Sequence, residues 1–144
     1  MREPLTVEEL VKWMTDNCYN DSYGINGRNI HEGYGLDCSE NLWAWYYTER
    51  GRKEILEEFQ TENEAVSYAF KTIKADKFAD RHLVGFIEDS LKESELITEL
   101  KSRSINFWKD KIPYDGLNNF RIRVFVFGCD IKKVLDLQQK FTEL

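Results

Sequence analysis

The chain of 144 residues has few of the residues that build disulfide frameworks, metal sites and membrane spans. Its three cysteines, Cys18, Cys38 and Cys129, are an odd number, lie far apart and form no C-x-x-C pair, so we expect neither a disulfide framework nor a zinc site. No stretch approaches the roughly 18 apolar residues of a membrane-spanning helix, and the opening MREPLTVEEL lacks the apolar segment of a signal peptide. These absences predict a cytoplasmic chain with reduced thiols and no membrane association.

Motifs of catalysis and phosphate binding are also absent. The two histidines, His31 and His82, do not have metal-ligand spacing, and no serine lies in a G-x-S-x-G motif. Four of the eight glycines fall between residues 24 and 35, but no Gly-Lys-Ser/Thr follows them, so they predict turns and not a phosphate loop. We therefore expect no catalytic residues, no metal, no cofactor and no enzymatic activity.

Charge is distributed unevenly along the chain, whose net charge is −6. Residues 1–70 carry 14 acidic and 6 basic side chains, a balance of −8, whereas residues 71–144 carry 12 acidic and 14 basic side chains, a balance of +2. An acidic field repels nucleic acid and attracts basic proteins. The first half therefore predicts a basic protein partner and no direct nucleic-acid binding, although an acidic surface that only maintains solubility is the simpler interpretation.

Helices are predicted from capping signals and apolar spacing. Thr6-Val-Glu-Glu9 and Thr61-Glu-Asn-Glu64 are capping boxes, each followed by apolar residues at helical spacing. They predict helices over about 7–19 and 62–78. A third helix is predicted over roughly 91–104, and Asp130 is predicted to cap a fourth at the C-terminal end.

Strands are predicted where aromatic and β-branched residues alternate with turn signals. The clearest are 42–48 and 120–128, and Gly51 predicts a tight turn that leads into a return strand over 53–59. Short strands are predicted at 23–25 and 34–36, and residues 79–89 remain ambiguous between strand and helix end. The pattern predicts one α+β domain over residues 1–144, with an antiparallel sheet that includes a central hairpin and about four helices.

For two predicted strands, the sequence leaves open which face is buried and which is exposed to a partner. In 42–48 one face carries Leu42, Ala44 and Tyr46 and the other carries Trp43, Trp45 and Tyr47, so the strand is either covered on both sides or exposed to a partner. We expect the second face to pack beneath helix 62–78. In 120–128, Arg121 and Arg123 share one face with Phe125 and Phe127, which would suit single-stranded nucleic acid, but an edge strand protected by charged residues is the simpler interpretation.

Residues 43–70, WAWYYTERGRKEILEEFQTENEAVSYAF, resemble the immunity proteins of bacterial polymorphic-toxin and contact-dependent growth inhibition systems. The shared pattern is an aromatic strand that runs into Glu49-Arg50-Gly51, a charged return strand, and a helix with an acidic start that contains Tyr68-x-Phe70. The resemblance covers about residues 42–86.

The resemblance implies a cytoplasmic antidote that binds the C-terminal toxin domain of a cognate toxin, one to one, and occludes its active or substrate-binding site. Such toxins are often nucleases and therefore basic, which agrees with the acidic first half. The family has no catalytic residues to transfer. The candidate toxin-binding residues are carboxylates and tyrosines of the first half: Glu32, Tyr34, Asp37, Glu40, Tyr47, Glu49, Glu57 and Glu58.

A second hypothesis comes from the glycine-rich loop. Residues 23–35 contain four glycines and His31, so they could form the pocket of a small ligand-binding or enzymatic domain.

Overall fold

The computed structural model describes residues 2–116 and 118–142, and its architecture is mixed α+β, as predicted. The chain forms two compact units, Met1–Ala79 and Asp80–Leu144, each with its own sheet and its own core. Each unit is described by itself below. The prediction of one domain over residues 1–144 stays a prediction. None of the helices in the described part of the chain is long and apolar enough to cross a membrane.

The first unit contains two helices and a four-stranded sheet. Its elements are α1 (Val7–Asp16), β1 (Gly24–Ile25), β2 (Gly33–Ser39), β3 (Leu42–Glu49), β4 (Arg52–Phe59) and α2 (Glu62–Ala75). Both predicted capping boxes begin helices: Thr6 Oγ1 accepts from the Glu9 amide at 3.1 Å, and Thr61 Oγ1 accepts from the Glu64 amide at 3.2 Å. Both helices end three residues earlier than predicted, at Asp16 and Ala75.

The first sheet has the strand order β1-β2-β3-β4. β1 pairs with β2 in parallel, and the other neighbours are antiparallel. Two-residue loops, Glu40-Asn41 and Arg50-Gly51, connect the antiparallel strands, and all four loop residues have positive φ. The predicted hairpin is therefore confirmed, and its second strand, β4, is an edge of the sheet.

Both helices belong to the core on one face of this sheet, which we call the inner face. Trp45 is 2% exposed there, and its ring centroid lies 5.7 Å from that of Tyr68 on α2. Trp43 is partly buried against the same core. The predicted burial of these two tryptophans is thus confirmed, whereas Tyr47, farther along the face, contacts Tyr34. Other core residues are Leu10, Leu36, Val66, Phe70 and Ile73.

The second unit contains a three-stranded antiparallel sheet with the order β5-β7-β6. Its elements are β5 (Arg81–Ile87), α3 (Ser90–Ser102), β6 (Phe107–Pro113), β7 (Phe120–Phe127), a 3-10 helix (Gly128–Lys133) and α4 (Leu135–Phe141). The fully buried residues that join the helices to the sheet are Val84, Leu96, Leu100, Val124, Val126 and Val134.

Two predictions for the second unit are corrected, and one strand had not been predicted. β7 is the central strand, so the interpretation of its arginines as edge protection is wrong. Arg123 instead forms two hydrogen bonds with Asp110 on β6, and this pairing lowers the pKa of the Asp110 carboxyl. Asp130 does not cap the last helix, because it lies within the 3-10 helix and α4 begins at Leu135. β6, which contains the charged run Lys109-Asp110-Lys111, was not predicted.

The cysteines also differ from expectation. Cys38 is free and exposed, whereas Cys18 and Cys129 are disulfide-bonded. The expectation of three reduced thiols is therefore wrong for two of them.

Candidate functional site

The eight predicted toxin-binding residues all lie in the first unit, but they do not form one surface. In an antiparallel pair, residues directly opposite each other point to the same face. Tyr34 pairs with Tyr47, and Glu57 pairs with Trp45, which places these residues on the inner face. Asp37 and Glu58 both pair with Ala44 and therefore lie on the opposite face, which we call the open face.

The inner-face candidates near the Arg50-Gly51 turn form one cluster. The rings of Tyr34 and Tyr47 lie 5.0 Å apart, and the Tyr47 hydroxyl donates to Glu49 at 3.4 Å. Burial raises the pKa of Tyr47, and the carboxylates of Glu49 and Glu32 raise it further. Tyr47 therefore stays a neutral hydrogen-bond donor beside two negative charges. Glu57 is exposed on β4, apart from this hydroxyl network.

The open-face candidates surround a hollow of about 410 Å³, which we call the outer hollow. Asp37, Glu40 and Glu58 line it together with Lys53. The remaining lining is mostly apolar: Leu42, Ala44, Tyr46 and Ile55, with Ser39. The hollow is thus a partly apolar depression with three carboxylates and one ammonium group around it, open to solvent on a sheet edge.

Tyr46 forms the buried base of the outer hollow. It is 4% exposed, and its ring covers Gly35 on the neighbouring strand, where an added Cβ would lie 2.3 Å from the Tyr46 hydroxyl oxygen. Gly35 is therefore required by the close approach of this ring. Burial raises the pKa of Tyr46, and the charge of Asp37 contributes to the same effect.

Lys53 bridges the three strands that line the outer hollow. Its ammonium lies 4.2 Å from the centroid of the Tyr46 ring and forms an ion pair with Asp37. The hydrogen bond to Asp37 raises the pKa of Lys53. One cation is therefore already held on this face by an aromatic ring and a carboxylate.

Sequence reasoning missed the apolar residues of the outer hollow and Lys53. The alternation of β3 did place Leu42, Ala44 and Tyr46 on one face, which was the available signal. On β4 the alternation breaks, because the register shifts between Trp45 and Tyr46: Tyr46 pairs with Ile55, whereas Trp45 pairs with Glu57. This β-bulge puts Ile55 and Glu58 on one face although they are three residues apart.

The net negative charge belongs to the first unit. Residues 1–79 carry 15 acidic and 9 basic side chains, a balance of −6, whereas residues 80–144 carry 11 of each. On β4, Glu54, Glu57 and Glu58 are all exposed. Glu54 and Glu57 put negative charge on the inner face of this edge strand, whereas Glu58 shares the open face with Lys53.

The alternative pocket around His31 is only partly present. A hollow of about 120 Å³ lies beside the first part of the glycine-rich loop and is lined by Tyr23, Ile25 and Arg28, among others. His31 is exposed and does not line it. The Arg28 guanidinium already donates to Asp21 and to the Tyr23 carbonyl. Within residues 2–116 and 118–142, no group of three or more His, Cys, Asp or Glu side chains is placed to hold a metal ion.

Comparison of the chain with protein-family models, with curated proteins and with solved structures found no match.

Proposed function

We propose that this chain is an immunity protein that binds and neutralises the C-terminal toxin domain of a cognate bacterial toxin. The observation that carries the proposal is the location of the charge: the whole net charge of −6 lies in the unit that contains the strand, turn and helix pattern of these immunity proteins. A basic toxin domain, such as a nuclease, would be attracted to this unit and not to the neutral one.

The proposed mechanism is occlusion by one copy bound to one toxin domain. The carboxylates of the sheet edge meet the basic groups with which the toxin binds its own substrate, and the protein supplies no catalytic group. Two surfaces of the first unit present such carboxylates. One is the cluster of Glu32, Tyr34, Tyr47 and Glu49, and the other is the outer hollow with Asp37, Glu40 and Glu58. Both combine aromatic or apolar area with negative charge, as protein-binding sites often do.

The test is neutralisation of a defined toxin domain. We expect a toxin domain encoded directly upstream of this protein to arrest growth when it is produced alone in a bacterial host. Co-production of this protein should restore growth, and calorimetry should give one-to-one stoichiometry. A matched host that produces an unrelated acidic protein of similar size is the control. Growth arrest that persists despite soluble protein, with no heat of binding, would refute the proposal.

A cytoplasmic location is part of the same proposal, because a toxin that acts inside the cell must be met there. The disulfide-bonded state of Cys18 and Cys129 argues in the opposite direction, since disulfides are rare in reducing compartments. Alkylation of free thiols in intact cells, followed by mass spectrometry, distinguishes the two. Full labelling of both cysteines supports the cytoplasm, and protection of both supports an oxidising compartment.

A further inference from the structure

We propose that the outer hollow receives one arginine side chain of the partner protein, with the guanidinium above Ala44 and between Asp37 and Glu58. The inference rests on the proposed function for the identity of that partner. Beyond the proposed function, it specifies which part of the surface contacts the partner and which side chain the partner must present.

The strand register builds the site. Asp37, Ala44 and Glu58 lie opposite one another on β2, β3 and β4, so they form one row across three strands. Because neighbouring strands are about 4.8 Å apart, the two acidic residues start about 10 Å apart on either side of the alanine. The alanine side chain is a single methyl group. The row therefore has a gap above Ala44, with the carboxylates of Asp37 and Glu58 on either side of it.

Not every carboxylate of the outer hollow has an ion-pair partner. Asp37 already pairs with Lys53, whereas neither Glu40 nor Glu58 forms a hydrogen bond or ion pair with any part of the chain that the structure describes. A second cation would therefore meet Glu58 directly and Glu40 nearby, at no cost to an existing ion pair. The arrangement of Lys53 over Tyr46 shows that this face holds a cation against an aromatic ring.

The apolar lining selects arginine within a peptide segment over a free cation. Leu42 and Ile55 are 41% and 55% exposed, so both present apolar surface beside the carboxylates of the hollow. An arginine can lay its methylene groups and its apolar neighbours along these side chains. Its planar guanidinium can also donate to carboxylates on two sides, which a lysine ammonium does less well.

The test uses a capped peptide of the form Gly-Leu-Arg-Leu-Gly, and the same peptide with citrulline in place of arginine. Each is titrated to millimolar concentration into ¹⁵N-labelled protein while amide shifts are followed by NMR. We expect saturable shifts at Ala44, Tyr46 and Ile55 with arginine, and no saturable shifts with citrulline, which has the same shape but no charge. Equal shifts with both peptides, or shifts confined to the inner face, would overturn the inference.

Two variants of neighbouring residues give a matched comparison. Glu58→Gln should weaken arginine-peptide binding about two- to fivefold, as expected for loss of an exposed ion pair. Glu57→Gln removes the same charge from the inner face of the same strand and should weaken the affinity less than Glu58→Gln does, because Glu57 does not line the outer hollow. Ala44→Leu should fill the gap and abolish the shifts without altering any charge. Equal affinities for the Glu58 and Glu57 variants would contradict the proposed position.

Failure of this inference can be distinguished from failure of the proposed function. If the protein neutralises the toxin domain but does not bind the arginine peptide, only the inference about the outer hollow is overturned, and the proposed function stands. If the arginine peptide binds as described but the protein does not neutralise the toxin domain, the outer hollow is supported as an arginine site and the proposed immunity function is refuted.

Discussion

At the scale of single residues, the contact between Gly35 and Tyr46 shapes the base of the outer hollow. Because an added methyl group would lie 2.3 Å from the Tyr46 hydroxyl oxygen, Gly35→Ala must displace a buried ring. We expect a loss of about 1–3 kcal/mol in the free energy of unfolding, measured by urea denaturation. Ser39→Ala, on the exposed end of the same strand, should change stability by no more than about 0.5 kcal/mol. Equal stabilities would show that the ring does not lie over Gly35.

A second residue-scale prediction concerns the ion pair of Arg103 and Asp136 in the second unit. Hydrogen bonds from the Arg103 guanidinium, at 2.8 and 2.9 Å, lower the pKa of Asp136 to about 2. In the unfolded chain this pKa is about 3.9. Since the folded-state pKa is the lower one, the pair stabilises the fold fully above about pH 4, and this contribution is lost as the pH falls through about 2.

The prediction is therefore a pH-dependent effect of Asp136→Asn. We expect this variant to be less stable than the unmodified protein at about pH 6, and we expect the difference to shrink as the pH falls toward 2. Urea denaturation across this range measures the difference. Arg103→Met should remove the same pH-dependent contribution. A stability deficit of Asp136→Asn that is constant from about pH 6 to about pH 2 would contradict the pairing.

At the scale of elements, the loop of the β3–β4 hairpin is strained at one position. Arg50 and Gly51 have φ of +52° and +79°, a conformation typical of a type I′ turn. An arginine tolerates positive φ poorly, whereas asparagine adopts it readily. We expect Arg50→Asn to stabilise the protein by about 0.5–1 kcal/mol, measured by thermal or urea unfolding.

The control for the hairpin prediction is Arg52→Asn. It removes the same charge two residues later, at the start of β4, where the backbone does not have positive φ. Asparagine is disfavoured in strands, so this variant should be neutral or less stable. Stabilisation by both variants would attribute the gain to lost positive charge and not to the turn.

Elements were predictable from the sequence when the residues that specify them are close together along the chain. The helices that begin after Thr6 and Thr61 were predicted because each depends on contacts three residues apart. The β3–β4 hairpin was predicted from Gly51 and the aromatic strand. β6 was missed because its three consecutive charged residues, Lys109-Asp110-Lys111, resemble a solvated segment, and its strand conformation depends on pairing with β7.

At the scale of the whole molecule, the charge asymmetry predicts how binding to a basic toxin domain responds to salt. Long-range attraction raises the association rate and weakens as salt screens it. We expect Glu54→Gln with Glu57→Gln to lower the association rate and its salt dependence, measured by stopped-flow fluorescence. The matched pair in the neutral unit, Glu88→Gln with Asp115→Asn, should change neither. Equal effects of both pairs would show that net charge alone, and not its location, steers the encounter.

The candidate site was predictable in part. The sequence located the acidic charge in the first half, and all eight candidate residues do lie in the first unit. It could not show that Asp37 and Glu58 share a face while Tyr34 and Tyr47 share the other, because that division depends on register and on a β-bulge. Lys53 was missed because its partner Asp37 is 16 residues away and lies two strands across the sheet.

The amino-acid sequence by itself determined the composition, the charge asymmetry, the capped helices and the hairpin, because each depends on side chains that are neighbours along the chain. Only the tertiary structure decided the two sheets, the central position of β7, the disulfide-bonded cysteines and the outer hollow. These features depend on which distant segments pair and in what register. A shift of one residue in a strand reverses its faces, so the surface that meets a partner is a property of the pairing.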